Sequence, residues 1–257
     1  MGLTGIGGAA IMTPMLILVL GTKPHLAVGT DLVYATLTKV FGAAVHWRLK
    51  HVDLGMVWRL AAGSVPGGVV GTLAETGLGP DAADAILRIG IGLVVLLVAA
   101  VILFQQAFPK LGYGVFRWIT KRRTAATIVY GAVIGFAVGL TSVGSGSLIL
   151  PFLLIVHRLT IGKAVGTDVF HGAVLMGVTA GFHVALGSVQ WDLIPGLLAG
   201  SIPGVTLGSF LAPRLPQALL KIVLVSVLIL TACMLLAGPH DERHESSQRS
   251  STKEWLG

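Results

Sequence analysis

Residues 139–153 read GLTSVGSGSLILPFL, an apolar run broken by glycines and hydroxyls shortly before a proline. In a soluble protein such a stretch would be a surface loop, but composition excludes that setting. Hydrophobic residues make up 54% of the 257 positions, charged residues only 11%, and the mean hydropathy is +0.87; ordinary soluble domains carry about 25% charge. Apolar stretches near the roughly 20 residues that cross a bilayer recur along the chain, so the interruption lies at membrane depth. Spanning backbone must be helix or closed barrel, and these stretches lack the alternation of barrel strands. The fold class is therefore an all-α integral membrane protein, a polytopic helical bundle.

The same pattern stands earlier, at residues 2–16, as GLTGIGGAAIMTPML. The offset between Gly2 and Gly139, 137 positions, also lays AVGTD at 27–31 on AVGTD at 164–168, His46 on His183, and AGSVPGGVVG from Ala62 on AGSIPGVTLG from Ala199. From Gly2 to Leu78 about three in ten aligned pairs are identical without a gap, the mark of a duplicated structural unit. The chain divides into a first transmembrane repeat (1–106), a basic loop (107–124), a second repeat (125–237) and a polar flexible tail (238–257). Ala125–Val138 precedes Gly139 while only Met1 precedes Gly2: either the first repeat evolved without that segment or, the favoured expectation, its front lies upstream of the given start.

Helices are expected near Ala9–Leu20, Leu26–Leu49, Leu54–Ala74, Ala82–Gln106, Lys163–Leu186, Leu193–Leu211 and Pro216–Ala237, with Ala125–Val156 either one crossing or two half-helices that turn back. Loop charge chooses between these. Lys110, Arg117, Lys121, Arg122 and Arg123 place their loop in the cytoplasm. A re-entrant hairpin then puts Arg48/Lys50 and Arg158/Lys163 inside as well and Asp192 outside, whereas a single crossing reverses the later basic loops. Three full crossings per half give two inverted repeats with broken, re-entrant segments. The net charge of +7 thus sets topology and is no nucleic-acid signal. Cys233, the single cysteine, excludes internal disulfides.

Irregular backbone survives at membrane depth only when shielded by protein or lining a wet cavity. Half-helices beginning near Gly8 and Ser145 would aim free amides and a positive dipole end inward, suited to an anion. Thr4, Thr141, Ser142, Ser145 and Ser147 are candidate hydroxyl donors; packing alone is the competing explanation of the glycines. Pro14, Pro66, Pro151 and Pro203 are expected to kink their helices.

Asp31, Lys39 and His46 fall within an arc of roughly 80° on one helix, and ionisable groups in a membrane helix are functional candidates. Lys39, some 12 Å along the helix from Asp31, needs a partner elsewhere: a bound anion, or a carboxylate of the other half. Its repeat counterpart is Met176. Asp31 and Asp168 read either as caps of helices restarting after Gly29 and Gly166 or as proton-coupling groups; His46 and His183 are either interface residues or further proton-coupling candidates. Arg59 and Trp58 are expected interfacial anchors.

The paired glycine-rich breaks each followed by proline, AVGTD twice, GSVPG and GSIPG, and TK with a downstream histidine together resemble the TauE/SafE-type sulfite exporter family, the four-toluene-sulfonate uptake permease group. The resemblance covers nearly the whole chain except the tail. It implies a cofactor-free transporter of small sulfur-containing anions in the bacterial inner membrane, with a small anionic substrate and the bilayer as partners, no nucleic acid, and homo-oligomers open. It carries Gly5, Gly7, Gly8, Gly144, Ser145, Gly146, Gly29–Thr30 and Gly166–Thr167 over as site walls. Aspartate at 31 and 168, where many relatives carry serine, departs from the pattern. The alternative class is a divalent-metal carrier using Asp31, Asp168, His46, His171 and His183. A membrane enzyme finds no support in catalytic motifs.

Overall fold

The computed structural model describes residues 9–74, 80–104, 123–211 and 216–237, which form helices and short connections with no strand among them. In chain order these are α1 (Ala9–Leu18), α2 (Pro24–Arg48), α3 (Leu54–Ala74), α4 (Pro80–Phe104), α5 (Arg123–Thr141), α6 (Ser145–Ile155), α7 (Ile161–Ala185), α8 (Leu193–Leu211) and α9 (Gln217–Ala237). The molecule is an all-α polytopic membrane protein. Among the described residues four helices, Ala82–Phe104, Arg123–Thr141, Ile161–Ala185 and Leu219–Ala237, are long and apolar enough to cross a membrane unaided by context. α2 is as long as α7, 25 residues each, but Asp31 and Lys39 lower its hydropathy. Its first half is buried in the bundle, while large apolar side chains such as Phe41, Leu97, Val129 and Ile222 point outward from α2, α4, α5 and α9. Exposed Trp47, Trp58 and Trp191 lie at helix ends, where amphipathic rings suit the lipid headgroup level.

Local chemistry sets the boundaries. Pro24 opens α2 with a φ already suited to a first turn. Gly144, at φ 112°, and Ser142, at φ 61°, turn the chain between α5 and α6, and a left-handed φ of that size favours glycine.

Adding the 137-residue offset to the bounds of α2 gives those of α7, and α1, α3 and α4 fall on α6, α8 and α9 in the same way. α2 and α7 lie side by side and antiparallel. Trp47 stacks on Phe170 with centroids 5.6 Å apart, the Lys39 side chain crosses Gly172, and Thr36 meets Gly177. The two ends of this pair are built alike. At one end the Thr30 hydroxyl accepts a hydrogen bond from the Gln190 amide at 2.9 Å; at the other the Thr167 hydroxyl accepts from the Asp53 amide at 3.0 Å. A Cβ on Gly29 would overlap the Ser188 carbonyl, and one on Gly166 the His51 carbonyl. Thus AVGTD twice clamps the end of each repeat's long helix onto the other repeat.

α3 and α5 run parallel with backbones nearly touching. Gly63, Gly67 and Gly71 lie on the main chain of Ile128, Ala132 and Phe136, and Gly131, Gly135 and Gly139 on that of Leu60, Ser64 and Gly68. Small residues permit such an approach, and dispersion supplies the attraction that lipid cannot. On α8, the repeat counterpart of α3, none of the described residues lies within 4 Å of where a Cβ would stand on Gly196, Gly200 or Gly204. α6 folds back beside α5. Tyr130 Oη donates to the Leu148 carbonyl at 2.8 Å, its ring stacks on Phe152 at 4.0 Å, and Thr127 Oγ1 is 2.9 Å from His157 Nε2. The expected turn-back is thus present with unequal arms, 19 residues out and 11 back.

Candidate functional site

The break at 142–144 delivers the first turn of α6 into the bundle, with Ser145, Gly146 and Ser147 all buried. Gly144 is the N-cap residue and supplies no side-chain cap, so the amides of these three residues have no intrahelical acceptor. Lys39, 8% exposed, reaches across from α2 and donates from Nζ to Ser145 Oγ at 2.9 Å. The Ser145 hydroxyl also lies 3.9 Å from the Met176 sulfur. Lys39 and its repeat counterpart Met176 therefore meet on one serine, so the duplicated frame contributes a single cation at its centre. Gly172 makes this possible, since any Cβ there would collide with the lysine ammonium. A cavity of about 280 Å³ runs beside α6 and reaches Gly146 and Ser147, bounded by Val101, Ile102, Leu150, Pro151, Leu154 and Ile155.

Asp31 is fully buried and ties three segments together. Its Oδ2 accepts from Thr13 Oγ1 on α1 at 2.6 Å and from Ser142 Oγ in the break at 2.8 Å. Asp168, its repeat counterpart, is 6% exposed and accepts no hydrogen bond among the described residues, with Oδ1 wholly buried. The Lys39 ammonium is in electrostatic reach of both carboxylates but within 4.0 Å of neither, since His25–Asp84, at 2.8 Å, is the ion pair found among the described residues. His171, also fully buried, places Nε2 2.7 Å from Ser64 Oγ on α3. His183 Nε2 is 3.4 Å from the Gly139 carbonyl.

Several sequence expectations are corrected here. Asp31 and Asp168 cap nothing: α2 begins at Pro24 and α7 at Ile161, so each aspartate stands seven residues inside a continuous helix. The preceding glycine serves close approach rather than a restart. Gly29–Thr30 and Gly166–Thr167 are inter-repeat clamps at the ends of the α2–α7 pair, and they do not line the centre around Lys39. Thr141 is spent locally, donating to the Ala137 carbonyl at 2.7 Å and accepting from the Val143 amide at 3.2 Å. His46 lies toward His51, ring centroids 6.0 Å apart, away from the centre. Pro14, Pro66, Pro151 and Pro203 stand inside α1, α3, α6 and α8. Thr4, Gly5, Gly7 and Gly8 lie outside the described residues.

The profile of the Sulfite exporter TauE/SafE family matches residues 1–235. The chain belongs to the TauE/SafE family. Among curated relatives, it is 39% identical over 241 residues to the probable membrane transporter protein YjnA of Bacillus subtilis, covering 91% of this chain and 94% of that one. It is 29% identical over 219 residues to a probable membrane transporter protein of Xylella fastidiosa, covering 84% and 80%, and 23% identical over 253 residues to YunE of Bacillus subtilis, covering 91% of each. No solved structure matches. This TauE/SafE chain is accordingly a multi-pass membrane transporter.

Three contributors to the centre went unread in the sequence. Thr13 stands beside Pro14 in the quoted run but has Leu150 as its repeat counterpart, Ser64 is hidden in GSVPG, and Gly172 is one of 35 glycines.

Proposed function

We propose that this protein is a secondary transporter that carries a small oxyanion, sulfite or an organosulfonate, across the bacterial inner membrane by alternating access between two oppositely oriented repeats. The observation that carries the reading is the Lys39 ammonium, buried 2.9 Å from the first residue of an uncapped helix. A cation and free amides at one buried point complement an oxyanion in both charge and hydrogen-bond geometry. On binding, the anion would take the Ser145 hydroxyl's place on Lys39 and draw on the amides of Ser145, Gly146 and Ser147. The cavity alongside α6 reaches two of these residues, Gly146 and Ser147.

The antiparallel pairing of repeat-equivalent α2 and α7 supports opposed halves, the arrangement in which one site is exposed alternately to each membrane face. The family's name points to sulfite as the first substrate to try. Coupling to protons through the intramembrane carboxylates belongs to the same reading. A divalent-metal carrier is disfavoured, because among the described residues no three of Asp31, Asp168, His46, His171 and His183 converge on one point and the centre holds a cation.

The test is thermal stabilisation of the purified protein by sulfite, sulfate, sulfonates and divalent metals. Ligand at 100 times its Kd stabilises by about 2.7 kcal/mol. Sulfite or a sulfonate should raise the midpoint and metals should not. Stabilisation by metals alone would overturn the proposal.

A further inference from the structure

The two repeat-equivalent aspartates have identical sequence surroundings, AVGTD, and opposite environments. Asp31 is engaged by two hydroxyls, from Thr13 and Ser142, that link α1 to the break. Asp168 has no hydrogen-bond donor among the described residues, although it is 6% exposed. A buried carboxylate left unpartnered in a centre this well packed is a group with work to do. The groups around it are few. From α2 comes Lys39 and from α5 Tyr130, each in electrostatic reach, the phenol itself donating to the Leu148 carbonyl. From α3 comes Ser64, held by His171 of Asp168's own helix, and the connection between α2 and α3 lays His51 on Gly166 and the Asp53 amide on Thr167, just before Asp168. Among the described residues, Lys39 is the one cation whose charge acts on Asp168.

Charge then decides. Lys39 carries one positive charge against two carboxylates, so an anion entering beside Lys39 meets a centre already short of positive charge, where water is too scarce to screen repulsion. A carboxylate that took up a proton would remove the conflict and present an O–H to the anion in the same step. Asp31 keeps one buried oxygen, Oδ1, without a partner, but its Oδ2 already accepts two hydroxyl protons and ties α1 to the break. Asp168 is free to change.

We propose that Asp168 carries the proton that travels with the anion. It takes one proton from water on the loading side and donates that O–H as a hydrogen bond to the oxyanion held by Lys39 and the first turn of α6. It returns the proton to water on the release side, where the reformed carboxylate repels the anion and draws Lys39 back. One proton moves with each anion, in the same direction. This rests on the anion-carrier reading above and adds the identity of the coupling group.

The experiment uses the whole purified chain with methanesulfonate, which stays a monoanion through the neutral range, so that any pH dependence belongs to the protein. Wild-type affinity should weaken toward about tenfold per pH unit on the alkaline side. In lightly buffered solution, binding should withdraw about one proton per anion. Asp168→Asn should bind with its pH dependence flattened, and in proteoliposomes it should exchange anion without response to a pH gradient; Asp168→Glu should restore both. Asp31→Asn should keep the wild-type slope at lower thermal stability. A wild type that binds the sulfonate without withdrawing protons, or an Asp168→Asn protein that keeps the wild-type slope, overturns the assignment while leaving the anion carrier standing. A wild type that binds neither methanesulfonate nor sulfite at any pH overturns both.

Discussion

Replacing Lys39 with methionine would give α2 the residue its repeat counterpart already carries at 176, an apolar side chain of similar length. Charge-assisted hydrogen bonds are the strong ones, and losing one to a bound ligand should weaken sulfite or sulfonate binding roughly 10- to 100-fold, read as lost ligand-induced thermal stabilisation. The apo protein should remain folded, because a buried charge is removed along with its solvation cost. Gly172→Ala reaches the same ammonium from the other side. The new methyl group forces the flexible end of Lys39 away from Ser145, so binding should fall by a smaller factor in the same titration. Lys39 could be singled out in the sequence because an ionisable group among apolar residues is conspicuous. Its partner could not, because Ser145 lies 106 positions away and helical periodicity carries no information across that distance. The aspartates misled for a related reason: glycine before aspartate suits a helix start, yet here glycine admits a neighbouring carbonyl and the helix runs straight through.

Between elements, glycine positions and hydroxyl clamps do the joining. Gly135→Leu would drive a side chain into the main chain of Ser64, where backbone cannot yield. It should separate α3 from α5 and cost at least the ~1–3 kcal/mol of ordinary overpacking, measured as a lower thermal midpoint in detergent. Thr30→Val and Thr167→Val each remove one equivalent inter-repeat hydrogen bond, about 1 kcal/mol. The clamps stand at opposite ends of the α2–α7 pair, so the double variant should show close to the sum. The turn after α6 has its own pH dependence. Burial, with Arg123 and Arg59 close by and Asp53 opposing, pushes the His157 imidazole below its ordinary value of 6.5. Protonation is therefore harder folded than unfolded. The stability tied to neutral His157 is present above that ordinary value and is lost as pH falls through the lowered one. On going from pH ~7.5 to ~5, the wild-type midpoint should drop further than that of His157→Phe, which keeps an aromatic ring near Phe152 without a titrating group. Helix positions were legible at this scale, because apolar length and glycine or proline punctuation are local properties. The short return of α6 was legible only through loop charge, and the Tyr130–Phe152 stack that pins it was not, since both residues look like lipid-facing aromatics.

Across the whole molecule, duplication was the most legible feature, and the structure adds what it accomplishes. One offset relates α1–α4 to α6–α9, the long central helices of the two units pair antiparallel, and the matched clamps make both ends alike. Identity at 31 and 168, with divergence at 39 and 176, then leaves a paired scaffold around an unpaired cation. A symmetric frame suits exposing one site to either membrane face, and under the proposed anion-carrier reading the single lysine sets the load at one anion. The opposed orientation proposed for the halves predicts that thiol reagents confined to one face of sealed vesicles will label cysteines at 158 and 192 from opposite sides; labelling of both from one side would contradict it. The central claim, that an oxyanion is held where Lys39 meets the uncapped start of α6, is tested most directly by a density map of the protein equilibrated with sulfite. The account predicts a small pyramidal feature bridging Lys39 Nζ and the amides of Ser145, Gly146 and Ser147, with the lysine drawn off the Ser145 hydroxyl. Lys39 still bonded to Ser145, with sulfite bound elsewhere in the bundle, would contradict it.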